Sequence, residues 1–247
     1  MIEHAPGRDR ALDLLKWLAM LSMVLDHARY LGLPLDPLFV PGRLAFAFFC
    51  LAIAANLRRS VQLPTDNCRE LRYLGWLTAF ALASEWPYRL YIPDIDTLNV
   101  MPTLVCGLLV ATAAQRRTLG WSAVGALVLI GAWHFHAWLM FDFFGVLLPA
   151  AMVFALRFAG TRWQWLVWMV PGLVCLAAND WPLIIPAAAR GSGLFQGAFA
   201  LCLLGPAIGL ALLRWRVPFA VPAMRRWAYG IYPLHFLALL AMRQILA

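Results

Sequence analysis

The stretch Leu12-Asp13-Leu14-Leu15-Lys16-Trp17-Leu18-Ala19-Met20-Leu21-Ser22-Met23-Val24-Leu25-Asp26-His27-Ala28-Arg29-Tyr30-Leu31 decides the fold class. A helix of this length rises about 30 Å, the thickness of a bilayer core, and most of its residues suit that solvent. Yet it carries Asp13, Lys16, Asp26 and His27. A charge at mid-membrane costs about 3 kcal/mol on insertion scales, so each such residue marks a functional position unless it pairs or reaches the surface. At about 100° per residue, Asp13, Lys16, Met20, Met23 and His27 fall in one narrow arc of the helix. Asp26 lies about a quarter-turn aside and faces a neighbouring helix more easily. The bland alternative is an i,i+3 pair of Asp13 with Lys16 near the membrane surface and an Asp-His cap at the far end.

Composition agrees with a membrane solvent. The chain is 63% hydrophobic and 13% charged, with a mean hydropathy of +0.74, which excludes an ordinary soluble domain and predicts a polytopic all-α membrane protein. The start, Met1 to Arg10, is polar, and the apolar run behind it is too long and too charged for a cleavable signal sequence. A net charge of +8 would suit nucleic acid, but arginines kept in cytoplasmic loops account for it, so no nucleic-acid partner is expected. Cys50, Cys68, Cys106, Cys175 and Cys202 stand singly, without ligand-like spacing. They read as packing residues, with neither a metal site nor a disulfide framework.

Hydrophobic runs at 12–31, 39–57, 71–92, 98–114, 120–138, 141–158, 163–180, 194–213 and 227–246 predict about nine transmembrane helices in one bundle, a single membrane domain over 1–247. The stretch from Trp181-Pro182 to Ala189 leaves room for a re-entrant segment and for eight or ten spans. Orientation follows from arginine. With a cytoplasmic N-terminus, Arg8, Arg10, Arg58, Arg59, Arg69, Arg72, Arg116, Arg117, Arg157, Arg162, Arg214, Arg216, Arg225 and Arg226 fall inside, and Arg29, Arg43, Arg89, Arg190 and Arg243 outside. Fourteen against five is a strong positive-inside signal. Asp26, His27, Arg43, Glu85, Arg89, His134, His136, Asp142, Asp180 and Arg190 then cluster toward the outer ends of their spans, with His235 near mid-depth in the last.

Several motifs sharpen this picture. Gly42-Arg43 opens the second span, where glycine admits a close helix neighbour and arginine can grip a carboxylate or phosphate in two-point fashion. Alone, Arg43 would equally be a snorkelling side chain. Glu85 and Arg89 are spaced for an i,i+4 salt bridge around Pro87. Asn99, Thr103 and Gly107 form a helix-packing stripe, for which substrate contact is an equal alternative. His134 and His136 diverge on a helix and cannot share a metal, while Asp142 opens the sixth span and is a candidate for the outer cavity. In Tyr232-Pro233-Leu234-His235 the proline frees a carbonyl beside a histidine that needs a partner.

These residues, taken in order, resemble the TraX family, that of the F-pilin acetylation protein. The matching stretches are Leu12 to Met20 continuing through Met23 to Asp26-His27, then Gly42-Arg43-Leu44-Ala45-Phe46. Ser84 with Pro87, Leu98-Asn99 with Gly107, Asp142 with Gly145, and Tyr232-Pro233-Leu234-His235 follow. The family often has proline after Gly-Arg-Leu-Ala-Phe; Ala47 stands here, which should straighten the start of the second helix. The resemblance implies a bacterial inner-membrane enzyme that transfers acetyl from acetyl-CoA to the N-terminal amine of a pilin subunit in conjugative pilus maturation. It also implies kinship of character with multi-span acyltransferases that carry a histidine near the end of the first span. On that reading His27 is the general base, Asp26 orients it, and His235, Arg43 or Asn99 stabilises the oxyanion or holds the acceptor. Lys16 guides the donor phosphates, and Arg58 and Arg59 bind the donor from the inner rim. No serine or cysteine adjoins a histidine in a nucleophile pattern, so direct transfer is expected. A non-catalytic pilin assembly factor and a transporter are the rival classes.

Overall fold

A computed structural model describes residues 9–62, 67–93, 95–224 and 226–246. Ten α-helices appear among them, and no strand: α1 (Arg10–Ala28), α2 (Phe39–Gln62), α3 (Asn67–Tyr91), α4 (Val100–Arg116), α5 (Leu119–His134), α6 (Asp142–Arg157), α7 (Gln164–Ala178), α8 (Trp181–Ala189), α9 (Gly193–Arg214) and α10 (Ile231–Leu246). Arg8 and Arg225 lie outside the described residues, as do the side chains of Arg69, Arg226 and Cys68. The all-α expectation holds. The count of crossings is a separate matter. Residues 36–60 and Gly193–Arg214 are each long and apolar enough to cross a membrane, and α7 with α8 adds a third crossing if that pair is one broken span. Helices α4 and α5 are apolar but shorter.

Helix α2 is central, packing on α1, α4, α6 and α9. Its inward residues are small: Ala45, Ala47, Cys50, Ala52 and Ala54 are all buried. Close approach needs small residues on the partners too. A β-carbon on Gly209 of α9 would stand 2.6 Å from Leu51, and one on Gly107 of α4 would stand 2.7 Å from Pro149 of α6. The packing reading of the Asn99, Thr103 and Gly107 stripe is thus realised, and Thr103 adds a hydroxyl bond to the Met140 carbonyl. The outer surface is apolar in the way a lipid solvent requires. On α5 only Gly125 and Ala132 are buried, while Leu127, Ile130 and Trp133 are exposed.

Two departures from regular helix position the site. Helices α7 and α8 meet at a bend of 98° through Asn179 and Asp180, the geometry of one broken span or of a re-entrant segment at Trp181-Pro182. The last apolar run begins as a 3-10 turn over Arg226–Gly230, and α10 starts only at Ile231. A 3-10 turn climbs faster per residue than an α-helix. This segment runs alongside α1: the Trp17 indole donates to the Pro222 carbonyl at 3.0 Å, the Met224 amide to Asp13 at 3.3 Å, and His27 meets His235. His235 therefore sits level with the end of α1.

Candidate functional site

The periodic arc of α1 faces the protein interior. Asp13, Met20, Met23 and His27 are buried, and Lys16 is half-buried between them. At one end of the arc, Nδ1 of His27 lies 2.7 Å from Nε2 of His235, with the rings stacked at 4.9 Å. Nδ1 of His235 faces the Ile231 carbonyl at 3.3 Å. A carbonyl only accepts, so Nδ1 of His235 carries the proton and its Nε2 is the acceptor. Nδ1 of His27 must then donate, which leaves Nε2 of His27 as a bare lone pair without a partner among the described residues. The Tyr91 hydroxyl donates to the His27 carbonyl at 2.9 Å and pins the end of α1. The result is a histidine oriented by a second histidine.

Asp26 does not orient His27. Its Oδ2 accepts from Arg43 at 2.9 Å and its Oδ1 from Arg29 at 3.1 Å. Arg43 also donates to Oδ1 of Asn179 at 2.9 Å and to the Phe39 carbonyl at 3.3 Å. Both guanidiniums lie over the Phe39 ring, at 4.8 Å for Arg29 and 4.3 Å for Arg43. Gly42 makes this possible, because a β-carbon there would stand 2.5 Å from the Asp26 carboxylate. Arg43 is thus anchored, and nothing about it resembles a side chain snorkelling to a surface.

These groups line one cavity of about 310 Å³, walled by Asp26, His27, Arg29, Arg43, Asn179 and Asp180 together with aromatic and aliphatic side chains. A second, smaller cavity of about 90 Å³ lies nearer the start of α1, beside Lys16 and Met20. Lys16, Asn56, Tyr73, Tyr229 and Tyr232 are among its lining residues. The Tyr232 hydroxyl accepts from the Val100 amide at 3.3 Å, and its ring stands 5.5 Å from His235. The two cavities thus lie along α1, one beside Lys16 and Met20 and the other beside Asp26 and His27.

The remaining expected residues are placed elsewhere. Asn99 caps α4: its Oδ1 accepts from the Met101 amide, and its Nδ2 donates to the Ala81 carbonyl and Glu85. Its side chain is thereby used at the helix start. Glu85 also takes the expected bond from Arg89 at 2.6 Å. Arg58 and Arg59 diverge. Arg58 donates to the Leu156 carbonyl at the end of α6 and lines a separate cavity of about 200 Å³ with Gln115 and Arg157. Arg59 instead pairs with Asp9 at 3.3 Å, at the head of α1. Adjacent helical residues point about 100° apart, so one ligand does not meet both in the same way. His136 and Asp142 pair with each other at 3.4 Å on the exposed surface, so Asp142 is not drawn into the cavity. No group of three metal-ligating side chains occurs among the described residues. Sequence reasoning missed Asn179 and Tyr91. The signal for Asn179 was an amide closing an apolar run one residue before Asp180 and the Trp-Pro break.

Comparison with known proteins agrees with the resemblance. No solved structure matches this chain. A curated relative, Protein TraX of Escherichia coli (strain K12), is 29% identical over 137 residues, covering 54% of this chain and 50% of the relative. The match thus spans half of that protein's length. The family described as TraX protein matches residues 11–243, nearly the whole chain and every group of the His27 cavity. The chain belongs to the TraX family.

Proposed function

We propose that this protein is a multi-pass inner-membrane acetyltransferase that moves acetyl from acetyl-CoA to the N-terminal amine of a pilin subunit. The observation that carries the reading is the His27–His235 pair, with an unpartnered Nε2 on His27 at the wall of a cavity that also holds Arg29 and Arg43. Acyl transfer to an amine needs a base for the amine's proton and positive charge or hydrogen-bond donors for the oxyanion. His27 takes the proton as the nitrogen–carbon bond forms on the thioester carbonyl. The Arg43 and Arg29 guanidiniums supply the field that stabilises the developing oxyanion, while Asp26 fixes them in place. Collapse breaks the carbon–sulfur bond, and the departing thiolate takes up a proton to give free coenzyme A. His235, whose Nε2 is occupied in accepting from His27, is a positioning residue in this scheme and not an oxyanion donor.

The two cavities suit two substrates from two sides. Lys16 and the nearby Arg59 lie toward the cytoplasmic end, where a polyanionic thioester arrives. The His27 cavity lies toward the outer end, where signal cleavage frees a pilin terminus. The alternation of about nine spans that sets these ends belongs to this proposal. The test is intact mass of the cognate pilin from cells with and without the protein, beside purified protein incubated with acetyl-CoA. One added acetyl group in both experiments supports the reading. Pilin of unchanged mass, with no turnover of acetyl-CoA, points to an assembly factor.

A further inference from the structure

The His27 cavity contains two carboxylates in opposite situations. Both oxygens of Asp26 are held by arginines. Asp180, exposed at the α7–α8 bend, has a carboxylate with no hydrogen bond or ion pair among the described residues, although it lines the same cavity. It occupies the N-cap position of α8, where aspartate ordinarily accepts a backbone amide, yet its side chain makes no capping bond. The helix start is served by the Asp180 carbonyl instead, which accepts from the Leu183 and Ile184 amides. The backbone sits at φ 56°, the left-handed region that glycine or asparagine would fill with less strain. The Asp180 side chain neither caps nor pairs, which leaves its carboxylate available at the cavity wall.

We infer that Asp180 is the acceptor-binding residue of this cavity, receiving a primary ammonium group through its carboxylate. The charge pattern fits a cation at that point. Arg29 and Arg43 share the carboxylate of Asp26, and Asp180 is the other carboxylate of the cavity lining. The neighbouring wall is apolar, formed by Ile95, Met140, Phe141, Leu183 and Ile184, so the ammonium's carrier would place an aliphatic side chain there. A peptide N-terminus with an apolar first residue has both features. Bound so, the ammonium waits in the cavity that holds His27; one proton leaves to solvent before attack, and the second passes to His27 Nε2 as the nitrogen–carbon bond forms. This step rests on the acetyl-transfer reading, whereas the binding itself does not.

The experiment uses the full chain in detergent and needs no acetyl-CoA. Saturation-transfer NMR compares Val-Gly-Gly-amide having a free amine with the same peptide N-acetylated, for wild type, Asp180→Asn and Asp180→Gly. Both variants suit a left-handed backbone, so the fold is retained while the charge is lost. Wild type should prefer the free amine by about 1.5- to 5-fold, the range of an exposed, screened charge pair, and both variants should bind the two peptides alike. A wild type without preference, or variants that keep it, overturns the assignment. Amine preference without any acetyl transfer would sink the enzyme and leave this site standing; transfer with an unchanged acceptor KM in both variants would do the reverse.

Discussion

At the scale of single residues the chain of protons is the sharpest feature. The Ile231 carbonyl sets the His235 tautomer, and His235 sets that of His27. His27→Ala should reduce acetyl transfer by about two to four orders of magnitude, the usual contribution of a positioned acid-base group. It should leave expression intact, because the ring stands at a cavity wall. His235→Gln keeps an acceptor for the His27 proton, whereas His235→Ala removes it, so transfer should fall further in the alanine variant. Transfer assayed in membranes at matched protein levels orders the three. Equal loss in both His235 variants would mean that packing against Phe236, rather than tautomer control, is what His235 supplies. Asp26→Asn acts differently. It strips the charge from a carboxylate that two guanidiniums share, at a stability cost of roughly 2 kcal/mol for a charged hydrogen bond, and it should weaken the oxyanion field while His27 stays in place.

At the scale of elements, the site depends on α1 and α2 meeting more closely than ordinary side chains allow. Gly42→Ala would force its new methyl group into the Asp26 carboxylate, since the β-carbon would lie 2.5 Å from Oδ1. Overpacking of this kind typically costs about 1–3 kcal/mol. The shift should also pull Asp26 off Arg43, so lowered thermal stability and reduced transfer are expected together. The divergence of Arg58 and Arg59 makes a second prediction. Arg59 stands at the head of α1 beside Asp9, on the Lys16 side, whereas Arg58 ties α2 to the end of α6. Arg59→Gln should raise the donor KM and flatten its salt dependence, and Arg58→Gln should chiefly lower stability. Much of this was legible in the sequence. The 3.6-residue period of α1 placed Lys16, Met20 and His27 on one inward face, and Gly42 beside Arg43 marked a close crossing. The contact of His27 with His235, 208 residues apart, was not, because periodicity gives the face of a helix and never its partner. Nor was the role of Asn99: a cap and a ligand-binding amide look alike until the helix start is located.

For the whole molecule, the proposed chemistry requires the two cavities to face opposite compartments, and arginine distribution is what assigns the sides. The Lys16 end of α1 must be cytoplasmic for a polyanionic donor to reach it, and the His27 end must face outward for an exported terminus to enter. In the structure α3 and the final segment both run in the direction of α1. Phe80 stacks on Tyr229 at 5.5 Å, Tyr88 meets Phe236 at 5.5 Å, and Arg243 donates to the Tyr91 carbonyl at 2.9 Å. Parallel first, third and last segments are what alternation over an odd number of crossings demands. Reporter fusions at residues 58–70 and 214–226 should therefore be cytoplasmic, and fusions at 32–38 and 93–97 external. The reverse pattern would place His27 beside the cytoplasm, where no terminus freed by export is found, and would end the pilin reading whatever the activity of the purified protein. External 32–38 with external 214–226 would instead mean an odd number of crossings before α10. That outcome would make the α7–α8 bend a re-entrant hairpin rather than one broken span, with Asp180 at its turn.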